Sequence, residues 1–252
     1  NRAEHRLHLR CELPNDSTLP LFEQLMCNPA LSLVSLMDHS PGQRQYVSLA
    51  AWRTYFGGKY QLSDLQLDAY EADQLRLAAR WSAPNREAIS AWCRQYHIPL
   101  ASHDDATYEH VVESKGVGSV IAEFPTTEEA ARASRELGLQ VLMGAPNIVR
   151  GGSHSGNVAA SALAQIDLLD ILSSDYYPAS LLDAAFRLAR DENNSMTLPQ
   201  AVALVTRNPA RAIGLDDRGT IGEGKRADLV LVRQHREQVY VSRVWAQGRP
   251  VF

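Results

Sequence analysis

The sequence predicts an α/β fold: a (β/α)8 TIM-type barrel with six of its eight βα units present, followed by part of a small β-sandwich domain. Short apolar strands alternate with helical segments along most of the chain, which is typical of a parallel sheet built from βαβ units. Several strands end in an ionisable residue, as strands do at the mouth of a catalytic barrel. The tail changes to short strands separated by glycine turns. We therefore expect a barrel domain over residues 1–215 and a small β domain over residues 216–252.

The composition favours a globular chain with one large core, in a reducing compartment. The 252 residues are 45% apolar and 21% charged, with a formal net charge of −4, which argues against a general nucleic-acid or membrane surface. The three cysteines, Cys11, Cys27 and Cys93, have no spacing typical of a disulfide framework or a zinc knuckle, so we expect a cytoplasmic protein. No apolar run approaches the roughly 18–20 residues of a membrane span, and no signal-peptide pattern opens the chain.

The first two strands carry polar side chains toward one end of the sheet. Residues 8–13 alternate with period two, which separates an apolar face from a polar one: Leu7, Leu9, Cys11 and Leu13 against His8, Arg10 and Glu12. In a barrel the polar face would line the interior, whereas in an edge strand it would be solvated. The second strand, Leu31–Met37, is followed closely by His39.

The middle of the chain contains an irregular basic and aromatic insert, residues 43–60, that includes Arg44. This insert predicts either a lid with cationic groups over the barrel mouth or a pair of surface helices. Ser63 is a good N-cap for a helix to about Trp81, and Pro84 is expected to break that helix before a second one, residues 86–96. The third strand, residues 98–102, ends next to His103.

Three more strands follow, at residues 119–123, 139–143 and 168–174. Thr126 and Glu129 have the spacing of a capping box at the start of the helix between the fourth and fifth strands. The sixth strand ends at Asp175, just before a proline. Asp175 is therefore either a reactive carboxylate at the barrel mouth or the cap of the helix that begins near Ser180.

Ionisable side chains at the strand ends predict a metal centre. Imidazoles and carboxylates that converge at the C-terminal rim of a parallel barrel suit a divalent zinc, manganese or nickel ion. Such a metal acidifies bound water, and a carboxylate placed like Asp175 accepts the proton as hydroxide attacks. The candidate ligands are Glu12, His39, His103 and Asp175.

A glycine-rich stretch, residues 150–157, predicts an anion site between a strand end and a helix that starts near Val158. Glycine lets backbone N–H groups turn toward an anion, and a helix N-terminus adds partial positive charge. The alternative is a flexible surface loop. Arginines on the first strand and in the insert support the anion site, because a guanidinium inside a barrel needs a carboxylate or an anionic substrate. The candidate phosphate-binding residues are Arg10, Arg44, Arg150, Gly151, Gly152, Ser153 and His154.

Specific motifs resemble a known family. Residues 208–215, NPARAIGL, and 219–231, GTIGEGKRADLVL, are similar to the closing module of the amidohydrolase superfamily, in which the chain finishes in a small sheet. Five further motifs resemble the phosphonate-utilisation hydrolases of that superfamily: EHRLHLRCE at 4–12, LMDHSPGQRQ at 36–45, ASHDDAT at 101–107, GAPNIVRGGSHSG at 144–156 and LSSDYYP at 172–178. The resemblance covers essentially the whole chain.

The resemblance implies metal-dependent hydrolysis of α-D-ribose 1-methylphosphonate 5-triphosphate to the 5-phosphate and pyrophosphate, a diphosphatase step in the carbon–phosphorus lyase pathway. It implies that Asp175 is the general base and a metal ligand, that His39 and His103 are strand-end ligands, and that Glu12 is the bridging carboxylate. The expected partners are a phosphorylated sugar substrate, with self-association and contact with other phosphonate-pathway enzymes left open. The alternatives are an amidohydrolase acting on C–N bonds, such as a deacetylase or cyclic amidase, and a metal-free, non-catalytic relative.

Two departures from the superfamily pattern affect the expected site. The first-strand His-x-His or His-x-Asp pair is absent from these 252 residues. Two strands lie between His103 and Asp175, whereas the usual superfamily order has one strand between the second histidine and the last-strand aspartate. We expect an N-terminally truncated chain that is inactive or poorly folded if expressed as written, because unpaired sheet edges and an incomplete metal shell would remain.

Overall fold

The computed structural model describes residues 3–152 and 156–252. Its contacts divide the chain into two compact units, here called the N-terminal unit (residues 6–139) and the C-terminal unit (residues 3–5 with 140–252). Strands alternate with helices in both, which confirms the predicted α/β class. The predicted division at residue 215 falls within the C-terminal unit.

The N-terminal unit contains a parallel sheet of four strands in chain order, β1 to β4. Helices connect the strands, as parallel pairing requires. The elements are β1 Leu7–Glu12, α1 Thr18–Leu25, β2 Leu31–Met37, α2 Leu49–Tyr60, α3 Asp64–Gln95, β3 Leu100–His103, α4 Tyr108–Gly116, β4 Ser119–Glu123 and α5 Glu128–Glu136.

The two predicted faces of β1 are confirmed. Its apolar face packs in the core of the N-terminal unit, with Cys11 and Leu13 buried against side chains such as Phe22 and Ile89. Each side chain of the polar face instead bonds to another residue of the unit: His8 to Ser35, Arg10 to His103 and Glu12 to His39. The polar face of this strand therefore contributes to the candidate site.

Helix α3 is continuous over 32 residues, so the predicted break at Pro84 is wrong. Proline removes one backbone donor, but contacts on both sides of it hold the helix in place. Ser82 donates to Asp38 Oδ2 at 2.8 Å, and the buried Asn85 amide donates to the backbone carbonyls of Leu13 and Asn15, each at 2.8 Å. Tertiary hydrogen bonds thus outweigh the local preference for a break.

The insert at residues 43–60 forms a short 3-10 turn, Arg44–Tyr46, followed by α2. The insert is therefore helical, but it contains one α-helix rather than the expected pair. Helix α2 packs against α3 through stacked Trp52 and Tyr70 rings, 5.5 Å between centroids. Trp52 is fully buried, and its indole Nε1 donates to the backbone oxygen of His39 at 3.0 Å. The insert therefore supports a residue of the candidate site.

The capping box predicted at Thr126 and Glu129 is wrong, because α5 begins one residue later than expected. The N-cap of α5 is Thr127, whose hydroxyl accepts a hydrogen bond from the Ala130 backbone N–H at 3.0 Å. Glu129 instead accepts from the backbone N–H of Tyr108, also at 3.0 Å. Adjacent threonines make this one-residue ambiguity unavoidable from spacing alone.

In the C-terminal unit, two parallel strands precede a three-stranded antiparallel sheet. The antiparallel sheet confirms the predicted hairpin tail. The elements are β5 Gln140–Gly144, α6 Ala145–Arg150, α7 Ala160–Gln165, β6 Ile171–Ser173, α8 Ser180–Arg190, α9 Leu198–Ala203, α10 Arg207–Ala212, β7 Leu229–His235, β8 Gln238–Ala246 and β9 Arg249–Pro250.

Gly219, in the glycine-rich motif before β7, lies against the first turn of α10. Its φ is +85°, and a Cβ at this position would lie 2.7 Å from the Arg207 Cα and 3.0 Å from the Thr206 oxygen. Backbone atoms cannot yield to such an approach, so glycine is required here. Among the described residues, no helix is both long enough and apolar enough to span a membrane.

Candidate metal centre

His39, His103 and Asp104 come together at the ends of β2 and β3. Asp104 Oδ2 lies 3.4 Å from His39 Nε2 and 3.5 Å from His103 Nε2. One ligand atom from each residue lies within 4.8 Å of the other two. Asp104 adopts a left-handed backbone conformation, with φ of +58°, and its N–H donates to the Glu123 carbonyl at 2.9 Å. This turn explains how two adjacent residues, His103 and Asp104, contribute to one cluster.

A carboxylate holds the opposite nitrogen of each imidazole. Glu12 Oε2 lies 2.6 Å from His39 Nδ1, while Glu12 Oε1 accepts the His39 backbone N–H at 3.0 Å. Glu123 Oε2 lies 2.8 Å from His103 Nδ1. Metal-binding histidines are commonly oriented in this way, with one ring nitrogen on a carboxylate and the other on the metal.

The charges in the cluster reinforce one another. Burial acts to raise the pKa of Glu12 and of Glu123, but the hydrogen bonds from His39 to Glu12 and from His103 to Glu123 contribute to lowering both pKa values overall. Burial acts to lower the pKa of His39, yet the adjacent carboxylates of Asp104 and Glu12 raise it to about 9. The cluster is therefore an electronegative pocket that favours a cation.

The donor set fits a divalent transition metal. Two imidazole nitrogens and a carboxylate oxygen are typical zinc, manganese or nickel ligands, and two further carboxylates neutralise the charge. Glu12, which the sequence pattern puts forward as a ligand, contacts the side of the His39 ring that faces away from Asp104. Its observed contacts are those of an orienting partner.

Arg10 has a partner that the sequence does not predict. We expect a carboxylate or an anion, but Arg10 Nη2 lies 2.9 Å from His103 Nε2. A guanidinium can only donate, so Nε2 accepts and carries a lone pair toward the cluster. A metal ion and Arg10 would use the same lone pair, and the Arg10 side chain is exposed.

Arg44 is buried among protein carboxylates. It is 5% exposed and forms ion pairs with Asp105 and with Glu113 Oε2, the latter at 2.6 Å. Its guanidinium also donates to Ser114 Oγ at 3.2 Å. The prediction that Arg44 binds substrate phosphate gains no support from this environment, because carboxylates already neutralise its charge.

The glycine-rich stretch differs from the expected anion cradle. Arg150 lies in the last turn of α6, and Gly151, with φ of +82°, forms the C-cap of that helix. A helix C-terminus carries partial negative charge, so the expected strand end before this stretch is wrong, whereas the helix expected to start near Val158 begins at Ala160 as α7. Arg150 Nη1 donates to the Tyr176 hydroxyl at 3.0 Å. Gly152 lies beyond the cap, and the predicted phosphate ligands Ser153 and His154 lie outside the described residues.

Asp175 follows β6 in the C-terminal unit and is exposed. It has a left-handed φ of +47°. A Cβ added to Gly144 would lie 3.4 Å from Asp175 Oδ2, so this carboxylate lies directly beside Gly144. The N-cap of α8 is Ala179, without a side-chain cap, so the alternative that Asp175 caps this helix is wrong.

Sequence reasoning missed Asp104 and Glu123. Glu123 ends β4, and the rule that selected Glu12 and His103 at strand ends would have found it. Asp104 follows a selected histidine directly, but its contribution depends on the left-handed turn, which the sequence does not reveal.

Comparisons with known proteins identify the family. The amidohydrolase family model matches residues 84–252. A curated relative from Escherichia coli (strain K12), alpha-D-ribose 1-methylphosphonate 5-triphosphate diphosphatase, is 68% identical over 252 residues, which cover 100% of this chain and 67% of the relative.

Solved structures support the same fold. An amidohydrolase from Thermotoga maritima MSB8 is 18% identical, with a TM-score of 0.52 over 98% of this chain and 62% of that one. An uncharacterised protein is also 18% identical, with a TM-score of 0.51 over 66% of this chain and 48% of that one. The present chain thus spans about two thirds of the curated relative and less of these structures. The family match over residues 84–252, together with the 68% identity, shows that the chain belongs to the amidohydrolase family.

Proposed function

We propose that the protein is a metal-dependent diphosphatase that hydrolyses α-D-ribose 1-methylphosphonate 5-triphosphate to the 5-phosphate and pyrophosphate in phosphonate degradation. The observation that carries this proposal is the 68% identity, over every residue of the chain, to a curated diphosphatase for that substrate. The cluster of His39, His103 and Asp104 supports it, because phosphoanhydride hydrolysis suits a metal-activated hydroxide.

In this proposal His39 Nε2, His103 Nε2 and Asp104 Oδ2 would hold the divalent metal. A metal bound there would lower the pKa of a water ligand and polarise a phosphoryl oxygen. Glu12 keeps the His39 ring in place through Nδ1, and the lowered pKa of Glu12 keeps its carboxylate ionised near neutral pH. Zinc, manganese and nickel all fit the donor set.

The proton acceptor in this proposal is Asp175. The family resemblance puts this residue forward as general base, and its exposed carboxylate beside the side-chain-free Gly144 is accessible to water. Positioned general bases contribute about 10²–10⁴-fold to a rate. We therefore assign the transfer of the water proton to Asp175.

For the anionic substrate we propose Arg10 as the principal cationic contact. Its side chain is exposed, and its observed partner is a neutral acceptor rather than a carboxylate. Arg150 and the adjacent Gly151 and Gly152 are secondary candidates. The three free cysteines support a reducing, cytoplasmic compartment.

The test uses protein expressed from the gene's own start codon, loaded with Mn²⁺ or Zn²⁺ and incubated with the triphosphate substrate. We expect pyrophosphate and the 5-phosphate in equal amounts, measured by mass spectrometry, and a loss of at least about 100-fold in kcat for Asp175→Asn. Asp183→Asn, which changes a half-exposed aspartate on α8, is the matched control and is expected to retain activity.

The alternatives give different products in the same assay. Release of acetate or ammonia from N-acyl or cyclic-amide substrates, without pyrophosphate, would identify a C–N hydrolase. Absence of any turnover from metal-loaded, folded protein would identify a non-catalytic relative. Either result would overturn the proposed function.

A further inference from the structure

A continuous line of hydrogen bonds runs behind His103, on the side away from Asp104. His8 Nε2 lies 2.6 Å from Ser35 Oγ, and Ser35 Oγ donates to Glu123 Oε2 at 2.8 Å. The same Glu123 oxygen lies 2.8 Å from His103 Nδ1. These residues come from β1, β2, β4 and β3, respectively, so the whole sheet of the N-terminal unit contributes to the line.

Counting hydrogen atoms fixes the direction of every bond in this line. Ser35 has one hydroxyl hydrogen, which it donates to Glu123, so the bond from His8 must be a donation from Nε2–H to Ser35 Oγ. The Glu123 carboxylate can only accept, so the hydrogen on His103 is on Nδ1. His103 Nε2 then carries the lone pair, in agreement with its bond from Arg10 Nη2.

Burial makes this line a rigid support. Ser35 is fully buried and the Glu123 side chain is 7% exposed, whereas the corresponding partner of the other histidine, Glu12, is 38% exposed. A buried carboxylate requires hydrogen-bond donors, and Ser35 and His103 supply both donors to one oxygen. Burial also lowers the pKa of His8, which favours the neutral ring that a single donation requires.

We propose that Glu123, supported by Ser35 and His8, is a positioning residue that holds His103 in the Nδ1–H tautomer and so keeps Nε2 available to a metal. The inference rests on the metal site of the proposed function and adds a group of residues that act through His103 without touching substrate. Partners of this kind typically account for about 10–100-fold in metal affinity.

Long-range ¹H–¹⁵N correlation spectra of ¹⁵N-histidine-labelled, metal-free protein read out the tautomer directly. We expect a single Nδ1–H tautomer for His103 in the wild type. Glu123→Gln retains an acceptor oxygen and is expected to keep that tautomer, whereas Glu123→Met has no acceptor and is expected to show both tautomers. The bond from exposed Arg10 alone is too weakly held to fix the ring.

Zn²⁺ affinity, measured by competition with a chromophoric chelator, provides the second readout. We expect Glu123→Met to weaken binding by about 10–100-fold and Ser35→Ala by about tenfold. Ser102→Ala is the matched control, because Ser102 is a buried serine on the neighbouring strand β3 whose hydroxyl has no partner among the described residues. This control is expected to match the wild type.

The proposal is overturned if Glu123→Met keeps the wild-type tautomer and Zn²⁺ affinity. If Ser35→Ala weakens Zn²⁺ binding no more than Ser102→Ala does, Ser35 and His8 do not support Glu123 as proposed. The tautomer in metal-free protein is measured independently of metal binding and turnover. A wild type that shows the Nδ1–H tautomer but binds no metal would therefore contradict the proposed function and leave the tautomer assignment intact.

Discussion

Asp104 Oδ2 lies 3.4 Å from His39 Nε2, although the two residues follow different strands of the sheet. The left-handed turn at Asp104 and the Glu12 contact behind His39 produce this proximity together. A carboxylate and an imidazole with their ligand atoms facing each other form the start of a metal site, and His103 Nε2 extends it.

Replacing Glu12 tests whether this residue orients His39. Glu12 accepts two hydrogen bonds from His39, one at each oxygen, and the amide of Glu12→Gln can accept only one of them. We expect the variant to bind Zn²⁺ about tenfold or more weakly in a competition titration. Glu87→Gln, on the exposed face of α3, is the control. Equal affinities for both variants would rule out this role.

Trp52 links the insert to the candidate site. Trp52→Phe removes the indole N–H that the His39 carbonyl accepts, in a fully buried position. We expect a loss of about 1–3 kcal/mol in the free energy of unfolding, measured by urea denaturation, because a buried carbonyl loses its donor. The control is Trp81→Phe, because the Trp81 ring is only half-buried, and this variant is expected to lose less free energy of unfolding. A cost for Trp52→Phe no greater than that of Trp81→Phe would contradict this explanation.

Gly219 tests the close approach in the C-terminal unit. Gly219→Ala and Gly214→Ala both place a side chain at a positive φ, at a cost of about 1–2 kcal/mol. Only the Gly219 variant also brings a Cβ within 2.7 Å of the Arg207 Cα, so we expect it to be clearly less stable in urea. Equal unfolding midpoints for the two variants would show that the chain does not pass this close to α10.

The cysteines differ in reactivity. Burial raises the pKa of Cys11 and of Cys93 to about 12, whereas Cys27 is exposed. Native protein treated with iodoacetamide at pH 8 should therefore be alkylated at Cys27 alone, as read by peptide mass spectrometry, and at all three positions after unfolding. Rapid alkylation of Cys11 in native protein would contradict the packing of β1.

The sequence predicted the sheet well because parallel strands have a simple signature. Apolar runs such as β2 and β4 are largely buried, and the bounds predicted for these two strands agree with the structure residue for residue. His39 and His103 could be selected for the same reason, since the carboxyl ends of parallel strands lie along one edge.

Features that depend on tertiary contacts were harder to predict. The bonds of Asn85 and Ser82 stabilise α3 across a proline, and no local pattern encodes them. The basic insert predicts Arg44 as a cationic phosphate ligand, but the carboxylate partners of Arg44 come from distant parts of the chain. The role of Asp104 depends on one backbone angle.

Direct titration of metal-free protein with Zn²⁺ and Mn²⁺ in a calorimeter tests the central claim. We predict that wild-type protein and His97→Asn, an exposed histidine outside the site, bind metal equally. His39→Gln and Asp104→Asn each remove a ligand atom. Each variant should therefore lose more metal affinity than the about 10–100-fold expected when a residue that only orients a ligand is replaced. Undiminished binding by both variants, or no binding by the folded wild type, would contradict a metal centre at His39, His103 and Asp104.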